Sequence, residues 1–154
     1  MFRLNTISMA VMASLYLNTA LAVPNNALPT GGQVTQGQAQ IQQSMSQMQI
    51  QQQSQKAVID WNSFNIGQQA SVTFQQPNAQ AATLNRVLNG SSEIAGQLNA
   101  NGQVYLLNPN GVLFSPTAQV NTGSLVVATA TLSDDEFLQG QGTLQHSIQG
   151  KIVN

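Results

Sequence analysis

Of 154 residues, 42 % are hydrophobic and only 6 % are charged, while 24 Gln and 15 Asn carry much of the polarity. Four Lys/Arg cannot form the basic stripe through which counterion release binds nucleic acid, and charge-driven disordered tails combine high net charge with few apolar residues. What remains is one domain by length, solvated by amides and hydroxyls, with no cysteine to supplement its core by a disulfide.

The chain opens on a leader. Arg3 gives a positive start, residues 7–17 (ISMAVMASLYL) are apolar-leaning, and Ala20-Leu21-Ala22 is a small-x-small cleavage site ahead of Val23-Pro24. Those are the three parts of a secretory signal peptide. The apolar run is too short to cross the ~30 Å hydrocarbon core of a membrane. The expected organisation is therefore residues 1–22 as a signal peptide, with Ala20 and Ala22 at the cleavage site, and residues 23–154 as the exported chain. Lys56, Arg86 and Lys151 against Asp60, Glu93, Asp134, Asp135 and Glu136 leave that exported chain a net charge of −2.

Strand signals follow. Residues 39–42 (AQIQ), 48–51 (MQIQ), 58–61 (VIDW), 71–74 (SVTF) and 103–106 (QVYL) alternate apolar and polar side chains, the period of a half-buried strand. In the Gln-rich stretch 33–55, Ile41, Met45 and Met48 also fit a helix face. Gly31, Gly32 and Gly37 and the lack of a cap favour two strands with a turn near Ser44–Gln47. Turn-formers punctuate the rest: Asn89-Gly90, Asn101-Gly102, Asn108-Pro109-Asn110-Gly111 and Asn121-Thr122-Gly123. Asn89-Gly90 returns as Asn110-Gly111 after 21 residues, and Gly102 as Gly123 after the same interval, a period that the coils of a β-solenoid would show, although two intervals alone favour a sandwich. One short helix is expected at Ser133-Asp134-Asp135-Glu136, a capping box with acids at the positive helix end, stopped by Gly140. The spacing of those acids matches no calcium loop.

Catalytic chemistry has no foothold. His146 is the only histidine and lies among Gln, Gly and Ser; no phosphate-binding Gly-rich loop or His/Cys ligand cluster is present. Asp60 and Glu93 are isolated acids, whereas a glycosidase needs two carboxyls held together. No enzyme activity, cofactor or metal is expected.

Leu28-Pro29-Thr30-Gly31-Gly32, then Ile59-Asp60-Trp61-Asn62-Ser63-Phe64-Asn65-Ile66-Gly67, resembles the amino-terminal secretion domain of filamentous haemagglutinin-type exoproteins. The likeness continues through Phe74-Gln75-Gln76-Pro77-Asn78, Leu84-Asn85-Arg86-Val87, Gly96–Val104 and Leu107-Asn108-Pro109-Asn110-Gly111-Val112-Leu113-Phe114. Each motif is weak alone; the ordered set is specific and covers nearly all of Leu28–Leu138. Such proteins leave Gram-negative bacteria by two-partner secretion. The resemblance implies an all-β fold: a right-handed parallel β-helix with an N-terminal β cap and extra-helical strands, here expected to be truncated at the C-terminus. It also implies recognition in the periplasm by the POTRA domains of an outer-membrane β-barrel transporter, no nucleic-acid partner, and a secreted or cell-surface destination. Contact with host surfaces or other cells would belong to a passenger. Of a further Asn-Pro-Asn-Leu motif common in such proteins, the sequence offers only Gln76-Pro77-Asn78-Ala79, at a position not equated with it. Asn108, Pro109, Asn110 and Gly111 are expected to form a structural turn between coils, with transporter contact as the second role. Trp61 and Phe64 are expected as core anchors. The alternative function is a self-associating or adhesive β-solenoid that needs no transporter; a β-helical carbohydrate enzyme is disfavoured by the scarcity of basic residues.

Overall fold

The computed structural model describes residues 22–146 and 150–154. The expected leader, with Ala20 at its cleavage site, lies outside the described residues; Ala22 is the first of them. Strands β1 (Gln33–Gln36) and β2 (Ala39–Ser44) precede a stack of coils. The first coil holds β3 (Gln47–Gln52), β4 (Lys56–Trp61) and a single bridging residue, Ile66. The second holds β5 (Ser71–Gln75), β6 (Ala82–Val87) and β7 (Ser92–Ile94), and the third β8 (Gln97–Ala100), β9 (Gln103–Leu107) and β10 (Val112–Phe114). The fourth begins with β11 (Gln119–Asn121) and β12 (Ser124–Ala128). The chain then leaves the stack through β13 (Ala130–Thr131), helix α1 (Asp134–Gln139) and β14 (Gln145–His146) before β15 (Ile152–Val153) supplies that coil's third side.

The coils form three sheets, ordered β1-β4-β6-β9-β12, β11-β8-β5-β3-β2 and β15-β10-β7, and β13 pairs with β14 in a fourth of two strands. Every pairing between successive coils is parallel, whereas β1 on β4 and β2 on β3 are antiparallel. This is a parallel β-helix with added strands at its N-terminal end. The 21-residue interval of the sequence is its repeat on one side: Ala82 lies beside Gln103, and Gln103 beside Ser124. The interval is not constant. Lys56 pairs with Ala82 and Ser71 with Gln97, both 26 residues on, because six residues join β5 to β6 where two join β8 to β9.

Alternation places one row of side chains inside each coil. Met48, Val72 and Leu98 stack in register on one sheet, and Ile50 on Phe74 beside them. Ile59, Trp61, Phe64, Ile66, Ile94 and Leu106 fill the lumen and are fully buried. Parallel stacking sets like residues over like, so an alternating strand read once predicts its neighbours. A second apolar cluster lies outside the coil, where Val58, Ala82, Leu84 and Leu107 are covered by Ala130, Leu132 and Phe137 of the excursion. At the N-terminal end residues 25–30 close the third side: Gly67 N donates to Ala27 O at 2.9 Å and Gln69 N to Asn25 O at 2.8 Å.

Candidate recognition site

The two motif segments Leu28–Gly32 and Ile59–Gly67 meet in space. Leu28 enters the core, Thr30 N donates to Ser63 O and Asn62 N to Thr30 O at 2.9 Å each, and the Thr30 and Ser63 hydroxyls are 2.7 Å apart. Gly32 must lack a side chain, because a Cβ there would sit 2.5 Å from the Trp61 ring. Trp61 and Phe64 stack edge to face with centroids 5.5 Å apart. The indole N–H donates to Asn85 Oδ1 at 2.9 Å, and Asn85 Nδ2 donates on to Tyr105 O at 3.2 Å. A buried tryptophan needs such an acceptor, and the sequence hid it: Asn85 is a polar residue inside a strand, fully buried.

Asn108–Gly111 joins β9 to β10. Gly111 N donates to Asn108 O at 3.0 Å, closing the turn, and Asn110 N donates to Asn108 Oδ1 at 2.9 Å. Pro109 and Asn110 occupy its corners with negative φ, so the turn is not the type that needs a left-handed third residue. Positive φ falls on Gly111 alone, at 109°. The Asn108 amide is buried and donates to Gly90 O at 3.0 Å and Ser92 Oγ at 2.9 Å, which ties this turn to the one a coil earlier. On the next level Val112 N donates to Lys151 O at 2.9 Å. Asn108 thus faces inward and sideways; Asn110 reaches solvent.

Two buried glutamines that pattern reading missed build another corner. Gln52 ends β3 and Gln76 follows β5, stacked one coil apart. Gln52 Nε2 donates to Ser54 O at 2.7 Å and accepts the Thr83 hydroxyl at Oε1; Gln76 Nε2 donates to Thr83 Oγ1 at 3.0 Å and Gln103 O at 2.9 Å, and Oε1 accepts Gly102 N at 2.8 Å. Gln76-Pro77-Asn78-Ala79 is therefore a corner followed by an Asx turn, with Asn78 Oδ1 accepting from Gln80 N at 3.0 Å.

The charged residues gather where the excursion docks. Arg86 clasps Asp60 through Nε at 2.7 Å and Nη2 at 3.1 Å, and its Nη1 lies 2.7 Å from Asp134 Oδ1. Asp134 Oδ1 is buried, and Arg86 is the group that meets its charge. Burial opposes the charge on Arg86, but Asp60 and Asp134 outweigh it and raise its pKa above the ordinary value. Lys56 Nζ donates to Phe137 O at 2.9 Å and Leu138 O at 2.8 Å at the C-terminal end of α1, where a cation complements the helix carbonyls. At the other end Ser133 and Glu136 form the expected capping box, and Gly140 ends the helix with φ of 67°. Glu93, isolated in sequence, accepts the Ser115 hydroxyl at 2.9 Å. Among the described residues no group of three His, Cys, Asp or Glu is arranged to hold a metal. For His146 the structure describes only backbone pairing with Ala130.

Residues 24–154 match the TPS secretion domain family. The chain belongs to that family. Two heme/hemopexin-binding proteins of Haemophilus influenzae are 40 % identical to it over 133 and 134 residues, spanning 86 % of this chain and 14 % of theirs. Among solved structures, the crystal structure of the HMW1 secretion domain from Haemophilus influenzae superposes with a TM-score of 0.74 at 31 % identity, covering 81 % of this chain and 36 % of that one. This TPS domain is therefore an exported, non-catalytic module of two-partner secretion, with the parallel β-solenoid of its family. It spans a small part of the relatives' length, and the haem chemistry in their name belongs to those proteins.

Proposed function

We propose that this chain is the secretion-targeting module of a filamentous haemagglutinin-like exoprotein, taken up in the periplasm by the POTRA domains of an outer-membrane transporter. Residues 1–22 act as its cleaved signal peptide, and residues 23–154 are what the transporter meets. The observation that carries the reading is the agreement of family motifs with geometry. Leu28–Gly32 closes on Ile59–Gly67 across the end of the coil stack, and Asn108–Gly111 locks successive coils. Those motifs build the first coils of a β-helix, which gives later β-structure a template edge on emerging outside the cell. Asn108 and Gly111 serve the turn's architecture, while exposed Asn110 is the member available to a partner.

The reading is tested with the chain purified from the periplasm and the POTRA-bearing periplasmic domains of a transporter from the same genome. Saturable one-to-one binding is the expected result in calorimetry; no binding by a folded chain contradicts it.

A further inference from the structure

The antiparallel hairpin β2–β3 forms one of two long open margins of the stack, the other being β12 at the last described coil. β1 carries a bulge between Val34 and Gln36, and β7, β11 and β15 have three, three and two residues; β12 is as plain as β2 but has five residues and neither the cavity nor the exposed tip described below. β2 runs six residues with no bulge, proline or charge, so it lacks the devices that blunt sheet edges. Its phase is fixed by Gln53 N donating to Gln38 O at 2.9 Å and by the two-residue turn between Ser44 and Gln47. Residues 38, 40, 42 and 44 therefore bond to β3, whereas Ala39, Ile41 and Gln43 turn their N–H and C=O groups to the open edge. No hydrogen bond among the described residues reaches those groups from outside the hairpin.

Two further features adjoin that edge. A cavity of about 540 Å³ opens beside it, lined by Leu28, Thr30, Ile41, Gln43, Met48 and Trp61 among others. The hairpin tip is Met45, 93 % exposed and with φ of 51°, a conformation that glycine would hold without strain. An apolar side chain kept exposed in a strained turn is a feature that folding alone does not require.

We propose that β2 is the docking edge for a β-strand of the transporter's periplasmic domains. That strand would extend the sheet through Ala39, Ile41 and Gln43, place an apolar side chain in the cavity beside Ile41, and receive Met45. This is strand addition, in which backbone bonds give affinity and alternate side-chain pockets give selectivity. The proposal rests on the transporter reading above. A second copy of the chain is the other occupant an open edge invites. A six-residue strand pairing covers on the order of 300 Å² per partner, against about 800 Å² for a stable complex. That small area suits a carrier that must let go.

Gln43→Pro removes an outward N–H without touching the ladder to β3, and Met45→Gly removes the apolar tip while relieving its backbone. Binding of each purified full-length product to the same POTRA domains is measured beside its unfolding midpoint. Expected are at least roughly tenfold weaker binding for both variants, an unchanged midpoint for Gln43→Pro, and a higher one for Met45→Gly. A simple folding defect would lower midpoint and binding together. If wild type and both variants bind equally, the edge assignment is wrong and the transporter reading stands. No binding by wild type overturns both. A dimer in sedimentation that Gln43→Pro abolishes would give the edge to a second copy and refute the assignment.

Discussion

Asn108 illustrates what a single side chain does in a stacked fold. Its carbonyl and side-chain oxygens close the turn on Gly111 and Asn110, while its amide donates to Gly90 and Ser92 in the previous coil. Asn108→Ala leaves the buried Ser92 hydroxyl and the partly buried Gly90 carbonyl without their donor and should cost about 1–3 kcal/mol, whereas Asn110→Ala, at an exposed corner, should cost less than ~0.5 kcal/mol; urea midpoints separate them. Trp61→Ala removes the largest lumen side chain and its edge-to-face contact with Phe64, with about 3–5 kcal/mol lost. A Trp61→Ala chain that remained folded and secreted would refute the anchor role. At Gly102 a Cβ would lie 2.7 Å from both Gln76 Oε1 and Ala81 O, so Gly102→Ala should lower the midpoint through that clash; Gly90→Ala meets no neighbour and should lower it only through the strain of its φ of 66°. The sequence signalled the Asn-Gly and Asn-Pro-Asn-Gly turns through residue chemistry. It could not signal Gln52, Gln76, Thr83 and Asn85, since a buried amide and a solvated one read alike until the coil brings partners within 3 Å or so.

At the scale of elements, the excursion through α1 is held by polar contacts at both ends and by Phe137 between them. Arg86 meets Asp60 and Asp134, and Lys56 meets the carbonyls of Phe137 and Leu138. Arg86→Ala strands two partly buried carboxylates and should cost about 1–2 kcal/mol. Amide exchange should speed up in residues 130–139 while β4, β6 and β9 stay protected, because the lumen contacts are independent of the clasp. Glu136 adds a pH dependence: the Ser133 hydroxyl, then its N–H, donate to the Glu136 carboxylate and hold its pKa below the ordinary value. A lowered folded pKa stabilises above the unfolded value of ~4.3 and is lost as pH falls through the folded one. Exchange protection of α1 should accordingly be flat from pH 5 to about 8 and decline on further acidification, a decline that Glu136→Gln abolishes. The capping box was legible because its residues are adjacent in sequence. The clasp was not, because Arg86 and Asp134 meet only after a whole coil has formed.

For the molecule as a whole, scarce charge and abundant amide now have a structural distribution. The sheet β11-β8-β5-β3-β2 carries no charged residue, and outward Gln51 and Gln75 bond side by side at 3.3 Å. Stacked strands solvate themselves with repeated amides on that side, while Lys56, Asp60 and Arg86 serve the side that docks α1. The five alternating segments all became strands with small boundary changes, and the ambiguous Gln-rich stretch became the β2–β3 hairpin. Periodicity alone favoured a sandwich over a solenoid, because unequal coils of 26 and 21 residues blur the repeat, since loop insertions leave the lumen register intact. Ordered motifs carried the rest. The central claim is that this fold serves export through a dedicated transporter. It is tested most directly by expressing the full chain in a Gram-negative host with and without a POTRA-containing transporter from the same genome, and measuring the chain in medium and on the surface. The chain should leave the periplasm only when the transporter is present; equal release without it, or retention with it, contradicts the account.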